Sequence, residues 1–431
     1  MDKKPQTPPP GDRLSALRQQ RKKRRNRRRW FTVLTVALIV LLGVALFLIL
    51  RPSKDVATPA VQEAQAEPGK YSTVTIAAVG DISISDAQLA DARTADGYDF
   101  SRSFLGVASL LSEADLTLGN LECTLRGAPY GSATASAPTA FADTLAGLGF
   151  DLLQTANSVS IVGGLDGLNA TIDNLEAAGL APVGTFRSAQ ARQEAGGVTI
   201  REVNGIRVAF IAFTKGLNNM SLPENSEYAL NLLYSDYDTN YNDLDTEGIA
   251  AAMAAAKKKN PDVIIALVHW GSEYSREVSA SQRRVAKLLY ENGADAIIGT
   301  HSHMLGEIEE TTVTLENGAA KDVVTAYDLG NFYTDSTKSG AQTSLVLRLE
   351  FTRNNWTNQT ALTDIRYTPV YCADFGITAS DRYQVLNIEN ALALYEQEYV
   401  YRVSDELYET LQEELTALPD IITPPEEQEE P

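Results

Sequence analysis

Histidine, cysteine and tryptophan are scarce in this chain: three, two and three of its 431 residues. Two cysteines, Cys123 and Cys372, are too few for a disulfide framework and exclude a zinc–thiolate site. A bond between them and a pair of buried free thiols both fit the sequence. Basic residues are the second shortage, once the N-terminus is set aside. Of the 37 Lys+Arg and 56 Asp+Glu, residues 1–51 hold 13 and two, which leaves 24 against 54 and a net charge of −30 for the rest. Nucleic-acid binding requires basic surface to neutralise phosphates, so it is excluded for that part of the chain. What the chain does have is apolar residues, 44% of the total, enough for a substantial core.

The basic residues are concentrated beside a long apolar run. "RKKRRNRRRW" (21–30) leads into "FTVLTVALIVLLGVALFLIL" (31–50), twenty residues without a charge. At about 1.5 Å of rise per residue, such a helix crosses the roughly 30 Å hydrocarbon layer of a bilayer. The run is longer than the apolar core of a secretory signal and ends in Leu48, Ile49, Leu50 and Arg51 instead of small residues. An uncleaved export signal would give the same topology. Positive residues stay on the cytoplasmic side. The sequence therefore predicts a cytoplasmic basic segment over 1–29, a single transmembrane helix over 30–50 and a main domain outside the cell. Its place beside a membrane span argues against reading the cluster as a nucleic-acid patch.

Residues 51–71, rich in Pro, Ala and acids, read as a flexible linker. From "STVTIAAVGD" (72–81) onward, strand-length apolar runs alternate with helical patterns. The runs include "ADLTLGNLE" (114–122), "IRVAFIAFT" (206–214), "VIIALVH" (263–269) and "DAIIGTH" (295–301). Between them lie "LDGLNATIDNLEAAG" (165–179), "TEGIAAAMAAAKKKN" (246–260) and "SASQRRVAKLLYENG" (279–293). The last two end in Asn or Gly, as helix C-termini often do. Repeated β–α units with near-continuous apolar strands predict an α/β domain with a largely parallel sheet buried on both faces. "SLVLRLEFTRNNWTNQTALTDIRYTPVYC" (344–372) alternates and breaks at "RNNW", which predicts an added antiparallel hairpin. The main domain is expected over 72–375, a helical extension over 376–418 and a disordered acidic tail over 419–431.

In a parallel α/β sheet, functional groups collect where strands end. Five of the apolar runs end in Asp81, in Asn120 with Glu122, in Asn157, in His269, and in His301 with His303. Those are all the histidines of the chain. An H-x-H in extended or turn geometry aims two imidazoles at one small region. Imidazole with carboxylate and amide oxygen suits Mn, Fe or Zn. A histidine at a strand end is alternatively a hydrogen-bonded packing residue; three of them at strand ends beside two carboxylates favour a metal site.

The ordered set "VGD" (79–81), "LGNLE" (118–122), "TAN" (155–157), "VHWGSEY" (268–274), "GADAIIGTHSHM" (293–304) and "YDLGNF" (327–332) strongly resembles the CapA family of poly-γ-glutamate capsule synthesis proteins. That family is similar to the calcineurin-like metallophosphatases, and the resemblance covers residues about 73–372. It implies a four-layer α/β/β/α sandwich of the metallophosphatase type, with one or two divalent metal ions at its strand ends, in an exported, membrane-anchored protein. By the same resemblance Asp81 would contact the first metal, with Glu122 near the bridging position and Asn120 beside it. His269 and His301 would hold the second metal, and His303 would turn back to the first. Gly330 and Asn331 would shape the turn beneath. Asn157, Ser158, Trp270 and Glu273 are further pocket candidates, against the alternatives of a packed Trp and a solvated Glu.

One motif departs from the family. The usual Asn-Asn-His run, with Asp three residues after the His, reads "ANSVSIVGG" (156–164) here. Ser158 stands for the second Asn, Val159 for the His and Val162 for the Asp. In the related phosphatases that His protonates the leaving group or steadies an oxyanion; valine does neither, and losing a general acid costs about 10²–10⁴-fold. Two functions follow from the resemblance. One is a metal-dependent hydrolase or transferase, partly degenerate, acting on an anionic envelope polymer such as poly-γ-glutamate. The other is a non-catalytic module that anchors the polymer beside capsule-synthesis membrane proteins. An ordinary phosphatase of small phosphoesters fits least. An acidic domain repels an acidic polymer unless cations intervene or a local basic groove exists.

Overall fold

In the computed structural model, which describes residues 69–424 except 315–317, 378, 380 and 398–401, "TVTIAAVGD" lies in strand β1 (Tyr71–Ile82). Successive side chains of β1 enter two different cores: Val74, Ile76 and Ala78 one, Ala77 and Val79 the other. A strand covered on both faces needs no polar stripe, so the stretch 76–79 is apolar without a break. The expected basic segment, the transmembrane helix, residues 51–68 of the linker and residues 425–431 of the tail lie outside the described residues. Among the described residues, no helix is long and apolar enough to cross a membrane.

Two sheets form where one largely parallel sheet is the simplest expectation. In the first, of eight strands, β1 is flanked by parallel β2 (Leu116–Leu121), β3 (Leu152–Gln154) and β4 (Ala181–Val183). The second has six strands. Its antiparallel β5 (Thr199–Val203) edges parallel β6 (Ile206–Thr214), β7 (Val263–His269), β8 (Ala296–Thr300) and β10 (Ala320–Ala326). Antiparallel β9 (Ile308–Thr314) closes its far edge. Back in the first sheet, short β11 (Asn331–Tyr333) pairs parallel with the end of β1. The expected hairpin, β12 (Thr343–Asn354) and β13 (Gln359–Asp374), runs antiparallel along its other side.

The sheets pack face to face through Ile76, Leu118 and Leu152 of the first and Val208, Phe210, Ile265 and Ile298 of the second. Helices cover both outer faces. Phe141 and Leu145 of α3 (Thr139–Gly147) and Leu175 of α4 (Gly164–Ala177) cover the first, following the short α1 (Asp86–Asp91) and α2 (Ala108–Ser112). After α5 (Ala189–Ala195), Ile249 and Met253 of α6 (Thr246–Lys257) and Val285 and Leu289 of α7 (Ala280–Glu291) cover the second. The layers are thus helix, sheet, sheet, helix, as expected. The α6 and α7 termini also follow the sequence: Asn260 and Gly293 take the left-handed backbone, with φ of 52° and 102°.

The C-terminal boundaries differ from the sequence reading. Strand β14 (Tyr383–Asn387) pairs with β13, so the sheet continues past residue 375 before helices α8 (Ile388–Glu396) and α9 (Asp405–Ile422) begin. Helix α9 also runs through Pro419 into the expected tail, because Leu418 and Ile422 are buried in the core between the sheets. Apolar burial there outweighs the helix-breaking tendency of proline. Cys123 and Cys372 are both buried free thiols, which settles the choice between bond and thiols.

Candidate metal centre

Pairing alone gathers the first polar residues. Asp81 lies in register with Asn120 of β2 on one side and Asn331 of β11 on the other. His269 at the end of β7 lies in register with Thr300 of β8, and the turn after β8 carries His301 and His303. Both turn histidines have positive φ, 108° and 60°, a conformation costly for a non-glycine residue and common at functional sites. Close approach of the turn 327–330 depends on Gly80. A Cβ there would lie 1.8 Å from the Gly330 carbonyl oxygen, which accepts from the Asp81 N–H at 2.8 Å.

The result is a cluster fed by both sheets. Ring centroids of His269 and His301 are 4.5 Å apart, and those of His301 and His303 6.3 Å. His303 Nδ1 lies 3.1 Å from Asp81 Oδ2 and 3.7 Å from Glu122 Oε2, while His269 Nε2 lies 3.4 Å from Glu122 Oε1. Four of the five ligand-type side chains, all but His301, are held by a neighbour. Asn120 Nδ2 donates to Asp81 Oδ1 at 2.7 Å, and Ser158 Oγ donates to Glu122 Oε1 at 2.9 Å. His269 Nδ1 lies 3.1 Å from Thr300 Oγ1, and His303 Nδ1 3.0 Å from Asn331 Oδ1. Asn157 is buried and occupied structurally: its Nδ2 donates to Asn120 Oδ1 and the Leu121 carbonyl, and its Oδ1 accepts from the Val159 N–H.

Charge divides the three imidazoles. Burial pushes His269 down to about 3, assisted by His303 and Lys215 and opposed by Asp81. Burial, with His269 beside it, likewise pushes His301 down to about 3. For His303 burial opposes protonation, but the hydrogen bond and charge of Asp81, with Glu122 and Asp328, outweigh it and raise it to about 10. Burial and the Asp81 charge raise Asp328 well above the usual carboxylate range.

Two triads of donor atoms emerge, Glu122 with His269 and His301, and Asp81 with Glu122 and His303; within each the donors lie within 4.8 Å of one another. Glu122 belongs to both. His269 Nε2, His301 Nδ1 and Glu122 Oε2 are buried without a hydrogen-bond partner. The 3.4 Å approach of His269 Nε2 to Glu122 is an ion pair only if His269 is protonated, and burial keeps it neutral. Orphaned buried polar atoms are costly and rare; two imidazole nitrogens and a carboxylate oxygen aimed into one cluster are a donor set that suits a divalent cation.

All five residues expected to hold metal therefore meet, and Ser158, Asn120, Asn157 and Asn331 brace them. Trp270 does not line the site. It is 2% exposed, packs among residues under α6 and α7, and donates Nε1–H to the Tyr327 carbonyl at 2.8 Å while stacking on that ring. The chain alternates after His269, which sends the next side chain to the opposite face. Glu273 is solvent-exposed. Val159 is buried, 8% exposed, where the family's histidine is expected.

Three contributors escaped the sequence reading. Asp328 accepts from the Ser302 and Gly330 N–H groups at 2.7 and 2.8 Å and so ties the histidine turn to the turn under Asp81. Thr300 orients His269, and the Tyr274 ring lies 5.6 Å from His303 with Lys338 Nζ 3.0 Å from its centroid. Asp328 and Tyr274 lie inside the quoted motifs; their contacts cross between strands and carry no local sequence signal.

Known proteins resemble the chain in sequence. It is 26% identical over 209 residues to the PGA biosynthesis protein CapA of Bacillus subtilis (strain 168), covering 48% of each. It is 26% identical over 226 residues to the capsule biosynthesis protein CapA of Bacillus anthracis, covering 50% of this chain and 47% of that one. It thus spans about half the length of the curated relatives it matches. Among solved structures, a novel phosphatase from Mycoplasma pneumoniae is 14% identical with a TM-score of 0.40, over 70% of this chain and 94% of that chain. TT1561 of Thermus thermophilus is 11% identical with a TM-score of 0.34, over 68% and 99%. A family model matches residues 75–336, more than half of the chain, and on that match the chain belongs to the bacterial capsule synthesis protein family PGA_cap.

Proposed function

We propose that the chain is a membrane-anchored extracellular protein in the synthesis of an anionic capsule polymer, poly-γ-glutamate or a chemical relative, with a divalent-metal centre of curtailed catalytic power. The observation that carries the metal is the trio of orphaned buried polar atoms, His269 Nε2, His301 Nδ1 and Glu122 Oε2. Asp81, Glu122, His269, His301 and His303 would hold one or two ions of Mn, Fe or Zn. Such ions supply Lewis acidity and an activated water for hydrolysis or transfer at a phosphoryl or acyl centre. Thr300 fixes the His269 ring, Asn120 holds Asp81 and Ser158 holds Glu122, so the donors are oriented in advance. The buried Val159 has no proton to give a leaving group, and the chain's three histidines are all in the cluster.

That last observation favours a second reading, a non-catalytic module that holds polymer or supports membrane proteins of capsule export. The anchor itself rests on the uncharged run 31–50 and the basic residues before it.

Metal analysis of the purified full chain, with hydrolysis assays on poly-γ-glutamate and a phosphoester in the presence and absence of chelator, separates the alternatives. A single or substoichiometric ion and weak, chelator-sensitive turnover are expected. Two tightly held ions with fast turnover would overturn the curtailed site, and chelator-insensitive background rates alone would leave the non-catalytic module. Val159→His combined with Ser158→Asn is expected to raise hydrolysis, up to about 10²-fold.

A further inference from the structure

Away from the metal cluster, one groove carries charge opposite in sign to the rest of the domain. It has a volume of about 610 Å³ and runs between α5 and the C-terminal end of α6, with Tyr228 alongside. Alanines and glycines of the two helices and their ends form much of its lining, and Arg192, Lys258 and Lys259 supply its cations.

Two of these cations, Arg192 and Lys259, are held by neutral oxygens. Arg192 Nη1 donates to the carbonyl oxygens of Glu227, Tyr228 and Leu230 at 3.0, 3.2 and 3.2 Å, and Nη2 donates to the Asn231 amide oxygen. Lys259 Nζ donates to the Glu194 carbonyl oxygen, and the Glu194 carboxylate itself accepts from Gln190. Lys258 is exposed. Among the described residues none of the three forms an ion pair with a carboxylate, although acids outnumber bases 54 to 24 after residue 51. Some other arginines of the domain do pair: Arg187 with Asp173 and Glu176, Arg283 with Glu307 and Glu309, Arg382 with Asp374. Neutral oxygens fix a guanidinium in place and leave its charge uncompensated. The α6 dipole favours lysines at its C-terminus; it gives no reason for Arg192 on a different helix, nor for the open groove between.

We infer that this groove binds a polycarboxylate chain, its carboxylates meeting Lys258 and Lys259 above the fixed charge of Arg192 and its aliphatic links lying on the alanine lining. The inference rests on the polymer reading above and adds where an acidic domain can hold an acidic chain without a bridging ion. At 0.1 M salt the Debye length is about 10 Å, so repulsion from acids farther away is screened while the groove cations act at close range.

Binding of end-labelled poly-γ-glutamate to the detergent-solubilised full chain at about 0.1 M salt, read by fluorescence anisotropy, tests it. Wild type is compared with the double variant K258E/K259E and with the cluster variant H301Q, with Tm as the control for folding and metal content as the control for the cluster. The double reversal is expected to weaken binding about tenfold or more, with wild-type metal content. Unchanged binding by K258E/K259E overturns the groove and leaves the polymer reading standing. Binding lost in H301Q but kept in K258E/K259E overturns it too and moves the polymer to the metal cluster. No binding by wild type removes the polymer reading itself, and the groove with it. If the double reversal lowers Tm, the neutral K258Q/K259Q pair replaces it: a smaller loss in the same direction is expected, and no loss overturns the groove.

Discussion

His269, His301 and His303 share one cluster and hold protons in opposite ways. Burial pushes the first two down to about 3, whereas at His303 the Asp81 hydrogen bond and charge outweigh burial and raise it to about 10. Unfolded, each titrates near 6.5. His269 and His301 therefore take up protons on unfolding between about pH 6.5 and 3, so their stability contribution is complete above 6.5 and lost as pH falls through that window. His303 has the reverse sign: its contribution is complete below 6.5 and lost as pH rises toward about 10. The three histidines together contribute most to the stability of the metal-free protein near pH 6.5, and His303→Gln is expected to flatten the alkaline limb of a Tm–pH curve. Identical alkaline limbs in the two proteins would reject this charge assignment. The histidines were legible in the sequence because they are rare and end apolar runs. Their opposed proton affinities were not, because these depend on which imidazole lies against Asp81 once strands 220 residues apart have met.

At the scale of elements, the alternation of apolar runs and helical patterns was enough to predict an α/β domain, since strands buried on both faces leave no polar stripe. The split into two sheets was not readable from that alternation and was implied only by the family resemblance. The parallel strands of either sheet are alike in being apolar, and only pairing decides that β6 joins β7 and not β4. The C-terminal helices show a related limit. Proline and acids in 419–431 read as a tail, yet α9 continues because Leu418 and Ile422 find apolar partners far away in sequence. Leu411 of the same helix is fully buried in a small cluster with Tyr371, Leu386 and Ile388. Leu411→Ala is expected to cost about 2–5 kcal/mol in urea unfolding; an unchanged midpoint would mean that α9 does not pack on the sheet.

For the whole molecule, the cluster joins the ends of strands from both sheets, with Asp81 and Glu122 from one and His269, His301 and His303 from the other. An ion there binds the folded state and not the dispersed ligands of the unfolded chain, which adds about 2.7 kcal/mol at a hundredfold excess over Kd. Chelation is therefore expected to lower Tm and restoring the divalent ion to recover it; a Tm indifferent to both would argue that the donors hold no ion. The sequence by itself determined the family, the layered α/β class, the charge asymmetry and which side chains supply metal-ligand chemistry, because each is a matter of residue type and local order. Only the tertiary structure decided that Glu122 serves both triads, that Trp270 packs beneath the site and that three cations border a groove without acidic partners. Those are distances between residues far apart in the chain, and they come into being only when both sheets close on a common core.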